Sequence, residues 1–143
     1  KSMVQNVDIA PTILSCAGLD KPAQMVGESY IPLLQGKEIP WRNRIFYEYY
    51  WEHEYPQTPT MHGVRTDNYK YIRYHGIWDT NEFYDLNEDP NELQNRIADP
   101  EYQDIIKQLD ADLYDWLETT NGMSIPLKRT VRPHNDHRNE GNY

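Results

Sequence analysis

Cysteine is almost absent: Cys16 is the only one in 143 residues, so no disulfide forms within the chain and the redox compartment cannot be read from cysteine usage. Long apolar runs are missing too. None approaches the roughly 18 to 20 residues that a membrane-spanning helix needs, and the mean hydropathy is −0.93. Positive charge is short, with 14 Lys and Arg against 23 Asp and Glu, a net charge of −9. That balance argues against a general nucleic-acid binder. There is no internal repeat and no low-complexity tract. Lys1-Ser2-Met3 runs directly into helical sequence, without a signal-peptide or lipidation pattern.

What is present is aromatic and unevenly charged. Twelve Tyr and four Trp favour a sheet-rich body or a sugar-facing surface, although packing and snorkelling explain most of them equally well. Acidic residues dominate Glu82 to Glu118, whereas Lys128 to Arg138 is basic. The length suits one domain with a real core.

In chain order, Asp8 is a plausible N-cap, and Pro11 falls in the first turn, where its missing N–H costs little. Ile9, Ile13, Leu14, Cys16 and Ala17 then make a mainly apolar helix that ends near Gly18. Residues 19 to 44 are punctuated by Pro22, Gly27, Pro32, Gly36 and Pro40 and read as a connector, with one helical turn at Ile31–Leu34. Arg44 to Trp51 is the strongest strand candidate. Pro56 and Pro59 make the next segment a long exposed loop. The stretch from His62 to His75 reads as two strands around a Thr66-Asp67-Asn68 turn, with Tyr69, Tyr71, Arg73 and His75 on one face and Lys70, Ile72 and Tyr74 on the other. A further strand spans Glu82 to Leu86 and ends in an Asn-Glu-Asp-Pro turn. From Asp99-Pro100, Tyr102, Ile105, Ile106, Leu109, Leu113, Trp116 and Leu117 form one apolar stripe of a helix that stops at Asn121-Gly122. The expected fold is α+β: a four-stranded antiparallel sheet with a C-terminal amphipathic helix packed on it.

Several spaced motifs are more particular than a generic sheet. Val7-Asp8-Ile9-Ala10-Pro11-Thr12, Gly27-Glu28-Ser29, Pro32-Leu33-Leu34, the Arg65-Thr66 to Ile72 strand pair and Phe83-Tyr84-Asp85-Leu86 through Asp89-Pro90, Glu92 and Asn95 occur in order. Over roughly residues 4 to 121 the chain resembles the C-terminal subdomain of type I, formylglycine-dependent sulfatases, sulfuric ester hydrolases of the alkaline phosphatase-like superfamily. Within that family the loop of residues 49–60, YYWEHEYPQTPT, followed by residues 64–82, VRTDNYKYIRYHGIWDTNE, looks most like enzymes acting on sulfated glycosaminoglycan sugars, such as N-acetylglucosamine-6-sulfatases.

The resemblance implies three regions. Residues 1–40 are the end of a large α/β domain and its connector, 41–121 the C-terminal sulfatase subdomain, and 122–143 a basic tail. It implies that the first helix belongs to an alkaline phosphatase-like α/β domain lying outside this sequence, so the start of the chain says nothing about export. It further implies a hydrolase of sulfated glycosaminoglycan sugars in the periplasm or secreted. The partners expected are the sulfated carbohydrate and the missing N-terminal domain, with no nucleic acid and no membrane span.

Calcium and formylglycine are the cofactors implied for the full-length enzyme, and neither is expected on this chain. Cys16, in Ser-Cys-Ala-Gly-Leu-Asp, lacks the arginine of the family's Cys-x-Pro/Ala-x-Arg signature and reads as a packed structural cysteine. Asp85 and Asp89 lack metal-cage spacing and read as solvated turn residues. His75, His134 and His137 make no metal signature. No catalytic residue and no metal ligand is therefore expected.

The resemblance implies a role at the rim of the substrate pocket, for which Trp51, His53 and His62 are the candidates, with Trp78 as another of the same type. Aromatic faces stack on sugar rings and imidazoles bond hydroxyls, though each residue reads equally as a surface imidazole or a packing indole. Arg65 is able to pair with a sulfate, or structurally with Glu48 across the sheet. The alternatives are a non-catalytic carbohydrate-binding or interaction module and a phosphodiesterase of the same superfamily.

Overall fold

The computed structural model describes residues 2–51, 57–76 and 79–124. Within them lie a short 3-10 turn at Asn6–Asp8, helix α1 (Ile9–Cys16), helix α2 (Ile31–Leu34), strands β1 (Arg44–Tyr49), β2 (Met61–Thr66), β3 (Tyr69–Tyr74) and β4 (Glu82–Asp85), a 3-10 turn at Pro100–Tyr102, and helix α3 (Gln103–Thr119). The sheet runs β1-β2-β3-β4 with every neighbouring pair antiparallel. This is the expected α+β arrangement, with β1 and β4 slightly shorter than their β-forming runs. Residues 125–143, and with them the basic tail, His134 and His137, lie outside the described residues.

Each element follows from local chemistry. The β2–β3 turn is held by Thr66, whose Oγ1 accepts from Tyr69 N–H at 3.0 Å and Asn68 N–H at 3.3 Å. Helix α3 ends where Asn121 takes a left-handed φ of 60° and Gly122 N–H bonds the Leu117 carbonyl at 2.8 Å. The free edge of β4 is capped by the following loop. Asn95 Oδ1 accepts from Phe83 N–H at 3.0 Å, and Arg96 N–H donates to Phe83 O at 2.8 Å.

Register then assigns the two faces. Phe46 opposes Val64, Val64 opposes Tyr71 and Tyr71 opposes Phe83, so these four share the face that α3 covers. Val64, Tyr71 and Phe83 form one buried cluster with Tyr102, Ile106, Leu109, Leu113 and Leu117, the apolar stripe of the sequence. Phe46 stacks on Trp116 at 4.8 Å with rings 4° from parallel. Polar side chains lock the rim of this core. Tyr71 Oη and Arg73 both donate to Asp110, at 2.9 and 2.7 Å, and Arg44 pairs with Asp112. Burial, then the Asp110 bond, pushes the Tyr71 hydroxyl up to about 12.

Asp8 departs from the sequence expectation. It precedes α1, but its carboxylate caps nothing in that helix. Fully buried, it accepts from Arg42 at 2.6 and 2.8 Å, from Gln5 N–H at 2.8 Å and from Glu28 N–H at 2.9 Å. Burial opposes the charge, yet the Arg42 fork and the two backbone donors outweigh it and hold the carboxyl below its ordinary value. Gly27 passes so near that a Cβ would stand 2.0 Å from Val7 O. Gln5 Nε2 donates to Phe46 O at 3.0 Å, which ties the same knot to β1.

Two further expectations are corrected. Cys16 is exposed rather than packed, because the apolar side of α1 has no cover among the described residues. Asp85 is buried rather than solvated: its Oδ1 accepts from Asn87 N–H at 2.9 Å, and Tyr102 Oη lies 3.4 Å from Oδ2.

The uneven burial has a measurable consequence. Leu113 is 0 % exposed and Ile13 62 %. Leu113→Ala should cost the chain about 2–5 kcal/mol in denaturant unfolding, while Ile13→Ala should stay within about 0.5 kcal/mol.

Candidate functional site

Register brings two loops to one end of the sheet. Met61 pairs there with Tyr49 on one side and Tyr74 on the other. The chain therefore leaves β1 toward Trp51, enters β2 from Thr60 and leaves β3 at His75 on that same edge. Thr60 ties the three together: its side-chain Oγ1 accepts from Trp51 N–H at 2.9 Å and its backbone O from His75 N–H at 3.0 Å.

One residue into β2, His62 faces α3's side of the sheet, opposite Glu48 of β1 and Arg73 of β3. It is 2 % exposed, whereas His75 is exposed. Nδ1 of His62 lies 2.7 Å from Nε2 of His75, a hydrogen bond between imidazoles set edge to face at 77°. Tyr50 stands edge-on to His62 with ring centroids 5.5 Å apart, and its hydroxyl donates to Glu48 at 2.7 Å. Burial and that bond push the Tyr50 hydroxyl up to about 12. Nε2 of His62 is buried without a hydrogen-bond partner among the described residues.

Both imidazoles are held below the ordinary histidine value. For His62 burial is the main cause, followed by His75, against the opposing pull of Glu48. For His75 it is burial and then Arg73, against Asp110. The pair is thus neutral at pH 7, one ring donating to the other.

The sequence candidates separate in space. Trp51, 47 % exposed, and His62 belong to this end of the sheet, but His62 is buried, and among the described residues its ring meets those of His75 and Tyr50. The sequence expects His62 at the rim, and the structure sets it 2 % exposed in β2 with His75 on its Nδ1. Arg65 points to the opposite face, three residues along β2, and pairs with Glu92 at 3.3 Å rather than with Glu48. Glu92 also takes Lys70, and it sits in the left-handed region at φ 56°. His53 and Trp78 fall outside the described residues. The residue that sequence reasoning missed is His75. Its only signal was its place on the Tyr69/Tyr71/Arg73 face, two positions beyond the residue opposite His62.

Among the described residues no group of three or more His, Cys, Asp or Glu is arranged to hold a metal ion. Cys16 sits exposed in the last turn of α1. Nor is any helix of the described residues long and apolar enough to cross a membrane.

The histidine pair makes stability depend on pH with a defined sign. Its native values lie below the unfolded value of about 6.5, so below that pH the unfolded chain binds protons that the native pair refuses. Stability contributed by the neutral pair is present above pH 6.5 and is lost as pH falls through the depressed native values. The urea midpoint should drop between pH 7 and 5.5, and should drop less in His62→Phe.

Comparison with known proteins adds the family. Residues 1–119 match the family described as N-sulphoglucosamine sulphohydrolase, C-terminal. An N-acetylglucosamine-6-O-sulfatase of Bacteroides thetaiotaomicron is 36 % identical over 110 residues, covering 73 % of this chain and 19 % of that protein. A Delta 4,5-hexuronate-2-O-sulfatase of the same organism is 35 % identical over 129 residues, covering 89 % of this chain and 26 % of that protein. The solved structure of a protein in complex with its substrate D-glucosamine-2-N,6-O-disulfate superposes with a TM-score of 0.73 at 30 % identity, over 87 % of this chain and 26 % of that one. The chain spans between about a fifth and a quarter of the length of these relatives. On the match that runs from the first helix through α3, the chain belongs to the N-sulphoglucosamine sulphohydrolase C-terminal family.

Proposed function

We propose that this chain is the C-terminal portion of a sulfatase that hydrolyses sulfate esters of glycosaminoglycan sugars, N-acetylglucosamine 6-sulfate among them. The observation that carries the reading is the family match over residues 1–119, together with relatives that are sulfatases across the same span. Those relatives also weigh against a stand-alone carbohydrate-binding module and against a phosphodiesterase. In this reading, calcium and the formylglycine nucleophile belong to the remaining three quarters or more of the protein, and no step of the chemistry runs through residues described here. The protein works outside the cytoplasm, in the periplasm or secreted, where sulfated polysaccharide is met.

The division at residue 40 is part of the same proposal. Val7, Ile9 and Ile13 are 45–62 % exposed, which supports assigning residues 1–40 to a larger α/β domain that covers them. The sheet and α3 close their own core, so residues 41–121 form the subdomain proper. This chain's contribution is the rim: Trp51, with His53 and Trp78 on the two loops, orients the sugar while the chemistry proceeds elsewhere. Loops on a rigid sheet vary specificity without disturbing a reaction centre.

Two outcomes are expected. The isolated chain should hydrolyse no aryl sulfate. In the full-length enzyme, Trp51→Ala or His53→Ala should lower kcat/KM on a sulfated disaccharide about tenfold relative to a small aryl sulfate, about 1.4 kcal/mol of transition-state binding. Parallel loss on both substrates would assign these residues to folding instead.

A further inference from the structure

We infer that His75 is a sugar-contacting residue of this rim, and that buried His62 serves to fix its ring. The inference rests on the rim reading above and adds a residue and a chemical role to it. His62 occupies a strand position whose inward neighbour Val64 is apolar, and nothing in the sheet requires an imidazole there. Burying its Nε2 without a partner among the described residues costs stability that an aromatic or branched apolar side chain would not. What the imidazole provides is the 2.7 Å bond to Nε2 of His75.

That bond holds one nitrogen of an exposed ring and leaves its Nδ1 with no hydrogen-bond partner among the described residues. Bonds to the Thr60 hydroxyl and carbonyl set His75 beside the chain segment that carries the half-exposed indole of Trp51. An aromatic face near an oriented imidazole suits a pyranose ring: the indole stacks on C–H groups, and Nδ1 bonds a hydroxyl. A hydroxyl both donates and accepts, so it satisfies either tautomer of the neutral pair. A sulfate oxygen accepts only, and so fits just one tautomer. The sugar hydroxyl is therefore the group assigned to His75. The charged and titratable groups around the pair are Glu48 from β1, Tyr50 just past it, Arg73 from β3, and Asp110 and Tyr114 from α3. Arg73 is neutralised by Asp110 and lies over Tyr114 at 5.0 Å.

The test uses the full-length enzyme with N-acetylglucosamine 6-sulfate and a small aryl sulfate as probes. His75→Ala should raise the sugar-to-aryl-sulfate KM ratio about tenfold. His75→Gln, which keeps a side-chain donor and acceptor, should recover most of that loss, and His62→Phe, which leaves His75 present but unheld, should fall between. In the unaltered enzyme with 15N-labelled histidine, the His75 Nδ1 resonance, assigned by its loss in His75→Gln, should shift when the sugar is added. If Trp51→Ala raises the ratio while His75→Ala leaves it within twofold, the rim stands and the role of His75 is overturned. If neither variant moves the ratio, the rim reading itself fails. A His75→Ala variant that loses both activities together, or an Nδ1 resonance unmoved by saturating sugar, also overturns the assignment.

Discussion

Leu109, Leu113 and Leu117 of α3 lie in one cluster with Val64, Tyr71 and Phe83 of the sheet, and the rest of the described structure depends on that single buried layer. It is one helix on one face of four strands, the smallest arrangement in which both the 3.6-residue and the two-residue apolar periods are satisfied at once. Because the strands are joined by register into one plate, covering their inner face also determines where their ends lie. The β1–β2 connection at both its ends and the exit of β3 lie at one end of the sheet, on a base that cannot tilt without opening the core. The Asp110 and Asp112 contacts, at the margin of the same layer, keep α3 from sliding along the sheet.

The N-terminal third is attached by different physics. Among the described residues no large apolar cluster joins α1 to the sheet. The connection runs instead through the buried Asp8–Arg42 pair and the backbone donors gathered on it, with Gly27 allowing the chain to pass close. A buried ion pair specifies geometry more than it adds stability. Here it fixes the direction in which α1 leaves the sheet while its apolar side faces outward. An element anchored by one polar knot and uncovered on its apolar face is what a domain junction looks like from one side. The chain's small share of its relatives' length is consistent with that arrangement.

Much of the fold was legible in residue order. The α3 stripe, the Thr66 turn, the helical turn at Ile31–Leu34 and the strand order each follow from a periodic or turn signal that acts locally. The points that were not legible all turn on long-range pairing. Asp8 looks like a cap because Arg42 is 34 residues away. Asp85 looks solvated until Tyr102 closes over it. Arg65 looks free to reach Glu48 until the register puts them on opposite faces and Glu92, in its left-handed turn, arrives from the loop after β4. At the candidate site, sequence grouped Trp51 and His62 around one loop, whose two ends the register sets at one end of the sheet. It had no means of telling which histidine would be buried, because that depends on His62 opposing Arg73 while His75 falls just past the strand's end.

The central claim is that this chain presents sugar-facing groups at one end of a sheet and leaves the sulfate chemistry to the rest of the protein. A crystal structure of the full-length protein with a sulfated N-acetylglucosamine bound tests it most directly. The account predicts the sugar ring within contact of Trp51, with a hydroxyl within hydrogen-bond distance of His75 and the sulfate group directed away from this chain. A sugar bound with no atom of residues 44–121 within 4 Å, or a sulfate held by this chain's own side chains, would contradict it.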